Sequence, residues 1–183
     1  MQQINEIISN IEVAVSFWEF QIEKIDNNRI VKIILEQGDR QKRRSNVKAD
    51  MTEWNMTGVE PFKQITDQVE NIVKDWYWQN ARIQLLTNIS ACWGAVYRKG
   101  DFTVPHEHLP DSYSFVYYPK AEVGCSLLKF NGYDYQPKTG YGLIFPSYLT
   151  HMVNPETSEN IRVVVSGNLE VTAYRDSVIK EIL

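Results

Sequence analysis

The sequence predicts a mainly β fold with helices towards its N-terminal end, and three observations carry that expectation. From about residue 81 apolar residues recur at every second position, turn residues interrupt them at short intervals, and helical spacing is confined to two earlier segments. A chain of 183 residues, 43% hydrophobic and 23% charged, is long enough to bury one core. The expected organisation is a single domain over 1–183, with an α/β supporting region over 1–80 and a β core over 81–175.

Taken in order, Ile11, Val13, Val15 and Phe17 alternate with smaller or polar residues, and the apolar phase then moves to Trp18, Phe20 and Ile22. That pattern reads as a long strand with a one-residue bulge. After Asp26, Asn27 and Asn28, the residues Ile30, Ile33 and Ile34 have helical spacing until Gly38 ends the pattern. Residues 40–48 hold five basic side chains and little apolar content, which suits a solvated loop. From Val59 to about Trp78 the stripe Phe62, Ile65, Val69, Ile72, Val73 and Trp76 predicts the main helix, started by Thr57 and Pro61 and packed on a sheet. The odd positions from Ile83 to Tyr97 predict a long strand or strand pair. Further strands are expected over 113–118, 125–130, 141–145, 149–153 and 161–169. Turns are expected at Lys99-Gly100-Asp101, Asn131-Gly132, 137–140 and Asn154-Pro155, as in an antiparallel sandwich or small barrel.

Composition removes several functional classes. A net charge of −4 disfavours wholesale binding to nucleic acid or anionic membrane, leaving the basic 40–48 segment as the one weak indication of such contact. No apolar run approaches the ~18 residues that span a bilayer, and the first residues lack a secretory pattern, so a cytoplasmic location is expected. Cys92 and Cys125 are too far apart for a CxxC motif and sit in apolar runs, so they read as buried structural thiols.

The chain has three histidines: His106, His108 and His151. Two residues apart on a strand, His106 and His108 face the same side and can converge on one metal ion, with Glu107 turned away. His151 lies in a later strand, after an aromatic turn at Phe145 to Tyr148, where the sheet can fold back across the same cavity. Three neutral imidazoles with open positions suit Zn(II) hydrolysis or Fe(II) oxygen chemistry.

Four ordered runs resemble a known family. They contain Trp93, Tyr97, Gly100, Pro105, His106 and His108; then Ser114, Tyr117 and Tyr118; then Gly142, Phe145, Pro146 and His151; and finally Arg162, Ser166 and Asn168. Together, over residues 93–168, they look like the Fe(II)/2-oxoglutarate-dependent oxygenases common in marine bacteriophages and bacteria, relatives of the prolyl 4-hydroxylases. The resemblance implies a double-stranded β-helix, of the jelly-roll or cupin kind, with Fe(II), 2-oxoglutarate and O2 as cofactors and cosubstrates.

By position, the resemblance makes His106, His108 and His151 the iron ligands and Arg162 the group that grips the distal carboxylate of 2-oxoglutarate. A guanidinium fork suits that role because it can make two parallel charged hydrogen bonds. Tyr117 and Tyr97 match tyrosines that reach the cosubstrate, and Ser166 and Asn168 share the strand face of Arg162. Two positions depart from the family pattern: His108 stands where a carboxylate is usual, with Asp111 as a substitute ligand, and Val164 stands where many relatives have serine. The implied activity is a hydroxylase that releases succinate and CO2, located in the host cytoplasm if phage-encoded. The alternatives are a non-catalytic metal-binding β-helix module and a three-histidine zinc hydrolase. The primary substrate stays open among a protein side chain, a nucleobase and a small molecule.

Overall fold

The computed structural model describes residues 17–39 and 45–174. Eleven strands and two helices follow one another as β1 (Trp18–Gln21), α1 (Asn27–Gln37), β2 (Val47–Lys48), β3 (Asp50–Met51), α2 (Phe62–Ala81), β4 (Gln84–Tyr97), β5 (Phe102–His106), β6 (Tyr113–Lys120), β7 (Leu128–Phe130), β8 (Tyr133–Tyr135), β9 (Tyr141–Pro146), β10 (His151–Val153) and β11 (Arg162–Tyr174). They form a six-stranded sheet, β1-β9-β6-β11-β4-β3, and a five-stranded sheet, β2-β5-β10-β7-β8, antiparallel at every ladder. The two sheets enclose the site between them, as a double-stranded β-helix does.

Two apolar layers hold this arrangement together. Outside the larger sheet, Ile30 and Ile34 of α1 and Phe62, Ile65, Val69 and Val73 of α2 pack against the outward residues Cys92, Val96, Phe115, Ile144 and Val163. Between the sheets, Trp93, Ala95, Val116, Leu143 and Phe145 meet Leu128, Phe130 and Val153. Each buried aliphatic or aromatic side chain removed from water contributes roughly 1.5–3 kcal/mol, and the strict alternation along β6 and β9 lets one sheet feed both layers. Gly94 allows the close approach of α1: a Cβ there would lie 2.4 Å from Ile34 Cγ1.

Helix α1 begins where Asp26 accepts the Arg29 backbone N–H at 2.9 Å and ends at Gly38. Gly38 has φ −65°, so the requirement for glycine is spatial: an added Cβ would meet the Ile34 carbonyl oxygen at 2.8 Å. Helix α2 starts at Phe62, the first residue of its apolar stripe and three residues after the expected start at Val59. Thr57 donates to the Asn55 side chain and makes no cap. Its aromatic end does reach the sheet, through Trp76 edge-on to Trp18 and a 2.6 Å hydrogen bond between the Tyr77 and Tyr113 hydroxyls.

Several boundaries differ from the sequence expectation. The proposed strand before residue 17 lies outside the described residues, as do positions 40–44 of the basic loop, and β1 begins at Trp18. Within that loop Val47 and Lys48 are a strand, because β5 offers an open edge for them. Residues 125–127 lie outside the strand that begins at Leu128, and β8 follows an Asn131-Gly132 turn that closes a hairpin with it. The run 83–97 contains one strand, β4, but its odd residues do not share a face. Asn168 pairs with Ala91 and Leu169 with Ile89, so Ser90 is an extra, unpaired residue. Leu85 and Ile89 consequently face the helices, whereas Ala91, Trp93 and Ala95 face the space between the sheets.

Candidate active site

His106 is the last residue of β5 and His151 the first of β10, and the two are Cα partners across the ladder. His108 lies two residues beyond the end of β5, not on the strand, and its backbone N–H donates to Ser147 at 2.9 Å. That bond sets the segment against the turn before β10. Ring centroids are 4.3 Å apart for His106 and His151, 4.8 Å for His106 and His108, and 5.2 Å for His108 and His151. One nitrogen from each lies within 4.8 Å of the others, a grouping able to hold a metal ion.

Hydrogen bonds orient the rings. His106 Nδ1 lies 2.9 Å from the Val104 carbonyl and His151 Nδ1 lies 2.9 Å from the Leu149 carbonyl. An imidazole that donates its Nδ1–H to a carbonyl presents a bare Nε2 lone pair. His108 Nδ1 lies 3.4 Å from the Asn168 amide, and Asn168 in turn accepts from the Ser114 hydroxyl at 3.1 Å. Burial lowers the pKa of all three, His108 to about 4 and His151 to about 3; the positive form of His106 nearby would add repulsion for both. All three are therefore neutral at pH 7, the form that binds a cation.

Arg162, the first residue of β11, is buried beside this cluster and lines the same cavity as the three histidines, Tyr97, Tyr118, Val164 and Ser166. Its guanidinium lies 4.1 Å from the centroid of the Tyr97 ring, whose hydroxyl meets Thr103 Oγ1 at 2.6 Å. Nε is 3.4 Å from a carboxylate oxygen of Glu156, yet neither Nε nor Nη2 has a hydrogen-bond partner. Two idle donors on a buried cation are costly unless a ligand accepts from them.

Of the expected site residues, His106, His108, His151, Arg162, Tyr97 and Ser166 surround one cavity, and Asn168 touches His108 at its mouth. Tyr117 does not join them. Val116 and Tyr118 face inward, so Tyr117 between them faces the helices, donating to Asn27 Oδ1 at 2.9 Å and stacking on Phe20. Tyr118 occupies the inward place instead. Asp111 is turned to the Ser90 hydroxyl at 2.6 Å and stands outside the histidine grouping. Cys92 and Cys125 are buried free thiols, and burial raises the pKa of both, Cys92 to about 12. Sequence reasoning missed Glu156 and Trp54. Trp54 is 42% exposed, packs edge-on against Trp93, and lines a cleft of about 640 Å³ with Val47, Lys48, His106, His108 and Asn168.

No protein-family model matches the sequence, and no curated protein does. Solved structures do match. A viral collagen prolyl hydroxylase from Paramecium bursaria Chlorella virus-1, in complex with 2-oxoglutarate, is 13% identical with a TM-score of 0.61, over 84% of this chain and 94% of that one. A Trichoplax adhaerens prolyl hydroxylase, in complex with a hypoxia-inducible-factor oxygen degradation domain peptide, is 14% identical with a TM-score of 0.63, over 91% and 86%. A Pseudomonas putida prolyl-4-hydroxylase is 14% identical with a TM-score of 0.60, over 92% and 97%. The sequences are far apart, but the architecture is shared: this chain has the fold of the prolyl hydroxylases and other 2-oxoglutarate–Fe(II) oxygenases.

Proposed function

We propose that the protein is an Fe(II)- and 2-oxoglutarate-dependent dioxygenase that hydroxylates a C–H bond of a substrate reached through the Trp54 cleft. The observation that carries this reading is Arg162: a buried guanidinium with two unpartnered donors, in the cavity where three neutral imidazoles converge. The residues fit both groups. A three-imidazole donor set accepts a divalent metal, and the unpartnered Nη2 of Arg162 suits a carboxylate, with Nε facing Glu156.

In this reading His106, His108 and His151 hold Fe(II), while Arg162 takes the distal carboxylate of 2-oxoglutarate. With O2, that bound pair supplies the oxidising chemistry that hydroxylates the substrate and yields succinate and CO2. The chain itself orients and shields. Tyr97 sets its ring under the guanidinium, Ser166 adds a hydroxyl to the wall, and Trp93 and Phe145 exclude water from the cavity. A zinc hydrolase would use the histidines but leave the buried donors of Arg162 idle. A binding module without catalysis would give Arg162 and the histidines no reason to share one cavity.

The deciding experiment is anaerobic titration of metal-free protein with Fe(II) and then 2-oxoglutarate. A weak visible charge-transfer band that appears only with both is expected. Tight Zn(II) binding with no such band would replace the oxygenase reading with the hydrolase one.

A further inference from the structure

Glu156 is a completely buried carboxylate with no place in the scheme above. Its Oε1 accepts from the backbone N–H groups of Thr157 and Ser158 at 3.1 and 3.2 Å and from the Ser126 hydroxyl at 3.3 Å, and the Ser126 backbone N–H is shared between Oε1 and Oε2 at 3.1 Å each. Its own backbone is pinned to the turn before β5, with its N–H on Asp101 and its carbonyl receiving Gly100. The carboxylate is thus satisfied by main chain without Arg162. The converse fails, since Glu156 Oε2, 3.4 Å from Nε, is the one anionic group that the ion pairs place against Arg162 among the described residues.

Resting on the cosubstrate reading, we propose that Glu156 is the positioning residue of the carboxylate pocket: a backbone-anchored anion that fixes the azimuth of the Arg162 guanidinium on the Tyr97 ring and so aims its free donors at the ligand. A ring under a guanidinium fixes its plane but leaves rotation within that plane open. A charge at the Nε edge removes that freedom.

The test compares wild type, Glu156→Gln and Glu156→Asp as full-length protein loaded with Mn(II). Calorimetry measures binding of 2-oxoglutarate and of 2-oxobutyrate, which has the same keto-acid end but no distal carboxylate. In Glu156→Gln the amide oxygen keeps the N–H groups of Thr157 and Ser158 and one branch of the Ser126 N–H, so its NH2 takes the Oε2 place and faces Nε, donor against donor, and the guanidinium turns away. The expected result is a loss of about 10- to 100-fold in 2-oxoglutarate affinity. Mn(II) and 2-oxobutyrate affinities should be unchanged, with partial recovery in Glu156→Asp. Unchanged or tighter 2-oxoglutarate binding overturns the proposal. So does a parallel fall in Mn(II), 2-oxobutyrate and 2-oxoglutarate binding, which marks a merely structural role. If wild type itself fails to prefer 2-oxoglutarate over 2-oxobutyrate, the cosubstrate reading fails first and the proposal falls with it.

Discussion

His106 and His151 are direct cross-strand partners, each at the end of its strand and each with Nδ1 against a backbone carbonyl two residues earlier. Ladder and carbonyl together fix both rings before any metal arrives. His108 has no such carbonyl on its ring: its main chain bonds Ser147 and Asp111, its ring tilts against Trp93, and its Nδ1 has a 3.4 Å contact with Asn168.

Metal affinity should therefore fall unequally. His106→Ala or His151→Ala should abolish Mn(II) binding, whereas Asn168→Ala, which frees the His108 ring, should weaken it roughly tenfold. Isothermal titration of the three variants checks this ranking. An Asn168→Ala protein with wild-type affinity would show that His108 needs no help.

Arg162→Ala should reduce 2-oxoglutarate affinity by a charged hydrogen-bonded contact worth about 2–5 kcal/mol, or roughly 30-fold to several-thousand-fold. Mn(II) binding should barely change. Arg162→Lys should recover part, since a point charge replaces a fork. The readout is the thermal shift caused by 2-oxoglutarate in metal-loaded protein. A shift as large in the alanine variant as in wild type would remove Arg162 from the pocket.

Tyr117→Phe separates the expectation from the observed geometry. Because its hydroxyl donates to Asn27 on the helix side, the variant should lose about 0.5–1.5 kcal/mol of stability and keep full 2-oxoglutarate affinity. Chemical denaturation and ligand titration measure the two separately. A selective loss of 2-oxoglutarate binding would contradict this placement.

Acid should destabilise the metal-free protein through the same histidines. Folding favours their neutral forms, with pKa values lowered to about 4 in His108 and about 3 in His151 from an ordinary 6.5. Their contribution is complete above pH 6.5 and is lost as pH falls through 4 towards 3. Melting temperatures from pH 7.5 to 4 should decline, and His151→Asn should flatten that decline. Equal slopes in both proteins would place the acid sensitivity elsewhere.

The sequence shows its local devices plainly. The glycines of three expected turns, Gly100, Gly132 and Gly140, have φ of 85–86°, and α1 starts at Asn27 behind the expected Asp26. The histidine pair was legible from its two-residue spacing, although His108 lies beyond the end of β5, and Arg162 was legible only through the family resemblance of its position. What was hidden depends on register between distant strands. The bulge at Ser90 turns the long β4 run over, the parity of β6 decides between Tyr117 and Tyr118, and Glu156 meets Arg162 only because a turn after β10 folds onto Ser126. No pattern within one segment encodes those meetings.

Arg162, Ser166 and Asn168 ride on a single strand that is clamped by β4 on one side and β6 on the other. At ~3.3 Å per residue, the six steps from Arg162 to Asn168 span about 20 Å. The strand is therefore a ruler running from the buried guanidinium to the open cleft, in unbroken register with β4 from Arg162 to Asn168, while its register with β6 shifts between Val163 and Val165. The two ends are thus spaced by covalent geometry, and under the proposed function a change of preferred substrate comes from the side chains at the Trp54 rim and not from any stretching of the barrel.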